Sequence, residues 1–518
     1  MKHYLSYVDD SFKANWNRPA LSNYGANTFT YGAVASEIEK MHLFFEKCGI
    51  RKGDKIALCA RNCAEWCISY FAVVTYDAVC VPLLADFLPQ NIADLTRLSD
   101  SRLLMLDKNI LAGLRRDNIV PQFSAFEGFC GIVDVVGLEV HEDCNGKLDG
   151  ITEAVETSFA ARFPNGVTPK HINYGKENLD ALSVISYTSG TSSSPKGVML
   201  SARSLSSNVD FAITHIPATN EDKILSILPL AHIFGQIFDF VYPFACGCHI
   251  NIFTEKPIPS RLLKALADVK PYMFLTVPLL IETFGGNVTK GGIILGGAAL
   301  NKEVEAIMRK IKFPYTVGYG MTECGPLLSY NRWEDFVARS CGKVAHPGVD
   351  IRIDSEDPAN VPGEIQAKGD SVMNGYYKNE DATKATFTQD GWLKTGDMGL
   401  MDKDENIFIK GRCKNMILTA NGQNVYPEEI EDLINQLPLV AESLVVGRKH
   451  GLVALVVPNT DEVAAAGIAA DQIQARIEAD VFALNEKLPV YSKITACEIK
   501  DEPFEKTPKL SIKRFMYK

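Results

Sequence analysis

No two of the thirteen cysteines are spaced as a CxxC pair. Cys63 and Cys67 lie four apart and Cys246 and Cys248 two apart, and neither pair has the two further ligands of a structural zinc site. The scatter excludes a disulfide framework and reads as reduced thiols packed as small hydrophobes, which implies a reducing compartment. Long apolar runs are absent too. The most apolar stretch, Trp66 to Leu88, is broken by Asp77 and Asp86, so no span of about twenty apolar residues exists to cross a membrane. The opening MKHYLSYVDD has no apolar core of a secretory signal. These absences predict a soluble, cytoplasmic protein. Positive charge is also scarce: 53 Lys and Arg stand against 63 Asp and Glu, a formal net charge of −10. A general nucleic-acid binder needs a clustered cationic excess, so that class is excluded, and any nucleotide must be held by a local site. Internal repeats and low-complexity segments are missing as well.

What is present reads as an ordinary globular composition, 46% hydrophobic and 22% charged. Single cores stop growing near roughly 250–300 residues, so a chain of 518 predicts at least two domains. Residues 34–48 have the period of an amphipathic helix, KIALCA (55–60) reads as a strand, EWCISYFAVVTY as a helix, and VCVPLL (79–84) as extended. That is a βαβ rhythm and argues for an α/β fold. Later, GIILGG (292–297) reads as a strand, NKEVEAIMRKI (301–311) as a helix, and YTVGYG (315–320) as a strand running into a loop. Ligands in such sheets sit beyond the carboxyl ends of strands, which directs attention to the glycine-rich segments that follow them. The tail has its own pattern. YPEEIEDLINQL is a helix opened by Pro427, SLVVG and LVALVVP are strands, and Ile473, Ile477, Val481, Leu484 and Leu488 form one helical stripe.

YTSGTSSSPKG (187–197) follows an extended apolar run. Gly190 and Gly197 permit unusual backbone angles, Thr188, Ser189, Thr191, Ser192 and Ser193 crowd one turn with hydroxyls, and Lys196 brings a cation. Such a turn can surround a polyphosphate with N–H and O–H donors; a plain Ser- and Gly-rich surface turn is the alternative. It is not a Walker loop, because Pro195 stands where that motif needs Gly and Gly197 where it needs Ser or Thr. GGAAL (296–300) and GYGMTECG (318–325) are glycine-bounded turns after strands, the second carrying Tyr319, Thr322 and Glu323. An aromatic face suits a purine, and Mg²⁺ prefers carboxylate and phosphate oxygens. WLKTGDMG (392–399) places Asp397 where a charged acceptor can meet neighbouring hydroxyls.

Taken in order, these segments resemble the adenylate-forming enzymes, the group of acyl-CoA synthetases, nonribosomal-peptide adenylation domains and luciferases. The likeness runs from about residue 10 to the end. It implies an α/β fold: a large N-terminal domain of layered α/β subdomains (1–411) that binds AMP and the acyl group, and a smaller, mobile α+β C-terminal domain (412–518). By resemblance Thr188, Ser189, Gly190, Thr191, Ser192, Ser193 and Lys196 hold the phosphates of ATP. Gly296, Gly297, Ala298, Tyr319 and Gly320 lie along the adenine, Thr322 meets the α-phosphate, Glu323 holds Mg²⁺, and Asp397 and Arg412 take the ribose. His232 and Phe234 in LPLAHIFG (228–235) line the acyl pocket. Gly422, Gln423 and Asn424 form the loop that meets coenzyme A, and IKGRCKNMI (409–417) is the hinge.

The implied reaction has two steps, an acyl-adenylate and then a thioester, with ATP, Mg²⁺ and coenzyme A. The run QIFDFVYPFA (236–245) offers large apolar side chains either to a wide acyl pocket or to the core. With the fatty-acyl style of the tail, the first choice points to a medium- or long-chain fatty acid and to no more than transient membrane contact. An acyl carrier protein as acceptor would share every motif. One position departs from the pattern. TPKLSIKR (507–514) puts Ser511 where the family has a lysine that bridges carboxylate and phosphates. Either Lys509 or Lys513 substitutes for it, or adenylation is slow, or the chain binds nucleotide without turning over an acid.

Overall fold

Helix Ala64–Thr75 is apolar on every side and buried on every side, with Glu65 as its one charged residue. A helix hydrophobic all round belongs inside a core, and this one fills the layer beneath the main sheet. The computed structural model describes all residues except 189–194, 256–257, 277–291, 297–299, 301, 346, 420–422, 450, 507–511 and 518. The main sheet has seven strands in the order Val140–Asp143, Gly131–Asp134, Ser101–Leu106, Lys55–Cys59, Val79–Pro82, Leu182–Thr188 and Lys196–Ser201. The inner five run parallel, and each outer strand pairs antiparallel with its neighbour.

Successive strand residues point to opposite faces, and the sorting is visible residue by residue. Ile56 and Leu58 join the core with helices Tyr31–Cys48 and Ala64–Thr75, whereas Ala57 and Cys59 join the cluster of Ile92, Leu95, Ile110 and Leu114. Both faces are therefore covered, as an inner parallel strand requires. A second sheet places Lys223–Ser226, His249–Ile252 and Pro19–Asn23 side by side in parallel. A third, fully parallel, is Phe274–Thr276, Ile293–Leu295 and Tyr315–Val317. An antiparallel meander follows through Val349–Asp354, Gly363–Gly369, Leu393–Met401 and Ile407–Arg412.

Beyond it a separate core gathers Val425, Ile430, Ile434, Ile477 and Val481 on one face of the sheet Val440–Arg448, Gly451–Pro458 and Ile494–Ile499. Phe504 packs on the other face. The predicted stripe on helix Ile473–Ala483 buries Ile477, Val481 and Leu484, while Ile473 and Leu488 are only partly covered.

One expectation resolves in favour of the core. The run 236–245 forms a π-helical turn, Gln236–Val241, continued by Tyr242–Ala245. Phe240 and Phe244 pack tilted against Phe71, ring centroids 4.6 and 4.7 Å away, and Trp66 and Tyr70 meet Phe240 edge-on. Phe238 turns instead to Phe234, ring centroids 5.4 Å apart. Most of this apolar surface is thus spent on packing. No helix among the described residues is long and apolar enough to cross a membrane, and the thirteen cysteines are all free thiols.

Candidate active site

The hydroxyl-rich turn joins two antiparallel strands whose last pair is Thr188 opposite Lys196. The segment between them, with Ser189, Gly190, Thr191, Ser192 and Ser193, lies outside the described residues. At its exit Gly197 is obligatory: a Cβ there would meet Ile185 Cγ2 at 2.9 Å and the Tyr187 ring at 3.2 Å. Lys196 is thereby fixed at the sheet edge, its Nζ 4.7 Å from the centroid of the Tyr376 ring.

Tyr376 is the residue that sequence reasoning missed. It lies in a segment that runs beside strand Lys196–Ser201: Met199 N donates to Gly375 O at 3.0 Å, Asn374 N to Met199 O at 2.9 Å and Tyr377 N to Gly197 O at 2.7 Å. Its hydroxyl donates to Glu323 Oε1 at 3.0 Å, and Met373 N donates to the Glu323 carbonyl at 2.9 Å. The phenol thus bridges the cation of one motif and the acid of another. Burial, and then the neighbouring Glu323 charge, push the Tyr376 hydroxyl well up, so it stays protonated and donates. The only sequence signal was a glycine followed by two tyrosines.

Glu323 sits in the short helical turn Thr322–Cys324 and is buried, as is Thr322. Among the described residues no donor is paired with its second oxygen, Oε2. A buried carboxylate with one oxygen spoken for and one unclaimed suits a hard divalent cation, so the donor chemistry fits Mg²⁺. Gly320, just before, has no alternative: a Cβ there would lie 1.9 Å from the Pro326 carbonyl oxygen.

A second cluster lies along the same motif. Tyr319 OH donates to Asp397 Oδ2 at 2.8 Å, and Arg412 Nε meets Asp397 Oδ1 at 2.9 Å. Asp397 and Arg412 are directly opposed across neighbouring strands, which is why residues fifteen apart in sequence share one carboxylate. Burial raises the Asp397 pKa, against the pull of the Arg412 guanidinium and the Tyr319 hydroxyl. A carboxylate has about four acceptor sites, so both neighbours leave capacity for a further hydroxyl.

Strands Ile293–Leu295 and Tyr315–Val317 are parallel neighbours, so Gly296 and the turn from Gly318 leave the same edge of that sheet. Phe234 closes over this edge: a Cβ at Gly296 would lie 3.0 Å from its ring. His232 caps the short helix Ile233–Gly235, with Nδ1 accepting from Phe234 N at 3.4 Å. Gly297 and Ala298 lie outside the described residues, as do Gly422, Lys509 and Ser511. Gln423 and Asn424 are exposed on the ribbon Ile417–Leu418 and Asn424–Val425, apart from the two clusters. Lys513 is turned to its own segment, its Nζ 3.1 Å from Glu505 Oε2.

Comparison with known proteins comes to the same place. The family described as AMP-binding enzyme matches residues 8–377, and its C-terminal domain matches 414–517. A curated relative, 4-coumarate–CoA ligase 4 of Arabidopsis thaliana, is 29% identical over 492 residues, covering 90% of this chain and 81% of its own. The anthranilate CoA ligase AuaEII with anthranoyl-AMP superposes with a TM-score of 0.82 at 20% identity, over 99% of this chain and 96% of that one. The o-succinylbenzoate coenzyme A synthetase MenE of Bacillus subtilis, with ATP and magnesium, gives 0.78 at 22% identity, over 99% of each chain. The last two likenesses are of fold.

Proposed function

The chain belongs to the AMP-binding enzyme family, and on that premise we propose that it activates a carboxylic acid with ATP and passes the acyl group to coenzyme A. The observation that carries the reading is the row Lys196, Tyr376, Glu323, where two separate motifs and a third segment converge on one line of contacts. In the first step the substrate carboxylate attacks the α-phosphorus and pyrophosphate leaves. Lys196 and the hydroxyl turn neutralise the departing polyphosphate, and Thr322 meets the α-phosphate. Glu323 would hold Mg²⁺, whose positive charge would help to offset the charge of the leaving pyrophosphate. Asp397, steadied by Tyr319 and Arg412, accepts from the ribose hydroxyls.

In the second step the small domain turns about a hinge near 411–412. Gly422, Gln423 and Asn424 then approach the pantetheine arm, and the thiol displaces AMP. Exposure of Gln423 and Asn424 agrees with a segment whose partner arrives only after rotation.

The acid has a flat, apolar body. Phe234 and Phe238 form a tilted aromatic pair, and an aromatic acyl group gains from such faces. The plant relative and one structural neighbour are named for 4-coumarate and anthranilate, both aromatic acids. A medium- or long-chain fatty acid is the second reading, favoured by the fatty-acyl style of the segment TPKLSIKR (507–514). Burying each chain methylene is worth roughly 0.8 kcal/mol, so chain-length preference would be steep in that case.

The deciding measurement is ATP–pyrophosphate exchange over aromatic acids and fatty acids of graded length, with coenzyme A and a carrier protein as separate acceptors. Exchange driven by octanoate or palmitate but by no aromatic acid would replace the first reading with the second. No exchange with any acid would remove the ligase reading. The bridging tyrosine gives a narrower expectation. Tyr376→Phe removes one hydrogen bond to a charged group and should slow exchange about tenfold. Rates within twofold of the parent would deny it a part.

A further inference from the structure

The segment that presents His232 and Phe234 is held from both sides by polar side chains to which no motif points. On one side stands Asn62, just ahead of helix Ala64–Thr75. Its Nδ2 donates to Leu228 O at 2.7 Å, and its Oδ1 accepts from Leu230 N at 3.0 Å. That reciprocal pair is what a neighbouring strand would supply, delivered by one amide. On the other side Asp239, inside the π-helical turn Gln236–Val241, accepts with Oδ2 from Ile227 N at 3.3 Å and Leu228 N at 3.2 Å. All four bonds fall on residues 227–230.

Asp239 is anomalous in its setting. It is fully buried, and among the described residues no cation is paired with it. Among the described residues its Oδ1 and both amide atoms of Gln236 are buried without partners. Burial raises its pKa to about 7 against the pull of the two N–H groups and of the nearby Ser226 hydroxyl. A buried carboxyl that faces so few donors is unfavourable, and a leucine or methionine would suit the surrounding core better. What distinguishes Asp239 is the pair of main-chain N–H groups at the end of strand Lys223–Ser226, where the chain leaves the sheet for the gate.

The next links are also fixed. His232 N donates to Pro229 O at 2.9 Å, and a Cβ at Gly235 would lie 2.7 Å from that same oxygen. Any shift at 227–230 therefore passes to His232 and Phe234, and from Phe234 to the contact with Gly296.

We propose that Asp239 and Asn62 are positioning residues: together they clamp residues 227–230 so that His232 and Phe234 keep their places at the acid-binding end. The proposal rests on the reading above that these two side chains line the acid site. A clamp of this kind acts first on the acid, because Lys196, Glu323, Asp397 and Arg412 hang from other strands and only the contact of Phe234 with Gly296 leads toward the adenine side.

The test is steady-state exchange for Asp239→Leu, Asp239→Asn, Asn62→Ala and Phe234→Ala, with KM measured separately for the acid and for ATP. Asp239→Leu and Asn62→Ala should each raise the acid KM at least tenfold while the ATP KM stays within twofold. Asp239→Asn keeps a carbonyl oxygen for both N–H groups and should restore the acid KM to within about threefold of the parent. Should Asp239→Leu lose its cooperative thermal transition, Asn62→Ala and the Asn rescue carry the same comparison. Equal rises in both KM values, or no rescue by Asn, would overturn the clamp and leave the ligase reading intact. An unaltered acid KM in Phe234→Ala would strike at the reading of the acid site itself, and the clamp would fall with it.

Discussion

Glu323→Gln should lower ATP–pyrophosphate exchange by two to three orders of magnitude while changing thermal stability little. The substitution is isosteric, and the amide oxygen still accepts from the Tyr376 hydroxyl, now 3.0 Å from Glu323 Oε1. What disappears is the negative charge on a buried carboxylate whose other oxygen has no donor among the described residues. A preorganised electrostatic contact of this kind is typically worth about 3–4 kcal/mol in the transition state, which is the stated loss in rate. If the charge acts by holding Mg²⁺, the concentration of Mg²⁺ for half-maximal rate should rise in the variant, and excess Mg²⁺ should recover part of the rate. Binding of AMP, which the proposed function assigns to the cluster of Tyr319, Asp397 and Arg412, should stay within a few fold. Full activity at limiting Mg²⁺ would show that Glu323 is only a buried partner for Tyr376.

Ser511→Lys should accelerate the same exchange at least tenfold. By resemblance this position carries the cation that joins the substrate carboxylate to the phosphates, and serine supplies no fixed charge. The loss of such a charge costs about two to three decades in comparable sites. Lys513 is engaged with Glu505, both through its ammonium group and through its backbone N–H at 2.8 Å. In extended chain, a residue two places away is displaced by roughly 6–7 Å, which a lysine side chain spans only in part. Recruiting Lys513 would also cost its pairing with Glu505. An unchanged rate in Ser511→Lys, together with a collapse in Lys513→Met or Lys509→Met, would assign the work to one of those lysines instead.

The sequence was most legible where function constrains short segments of backbone. Glycines at 197, 296 and 320 stand where the backbone runs close to a neighbour, and a Cβ at each would meet an atom at 2.9, 3.0 and 1.9 Å. Hydrophobic pattern was equally readable: the unbroken apolar run in Lys55–Cys59 and the all-round apolarity of Ala64–Thr75 each describe a burial the residues cannot avoid. The run 236–245 was ambiguous because a core helix and an acyl pocket ask for the same side chains. Composition cannot separate them; the partners of Phe240 and Phe238 do.

By itself, then, the order of residues determined the class of fold and the series of motifs on which the family likeness rests, since these depend on local backbone conformation and residue chemistry. Only the tertiary structure decided that Tyr376 joins Lys196 to Glu323, that Tyr319 and Arg412 share Asp397, and that Asn62 and Asp239 grip one segment. Each of these contacts closes between residues 11 to 180 positions apart. Hydrogen bonds and ring contacts act over a few ångströms, and distance along the chain carries no trace of which groups folding will bring within that reach.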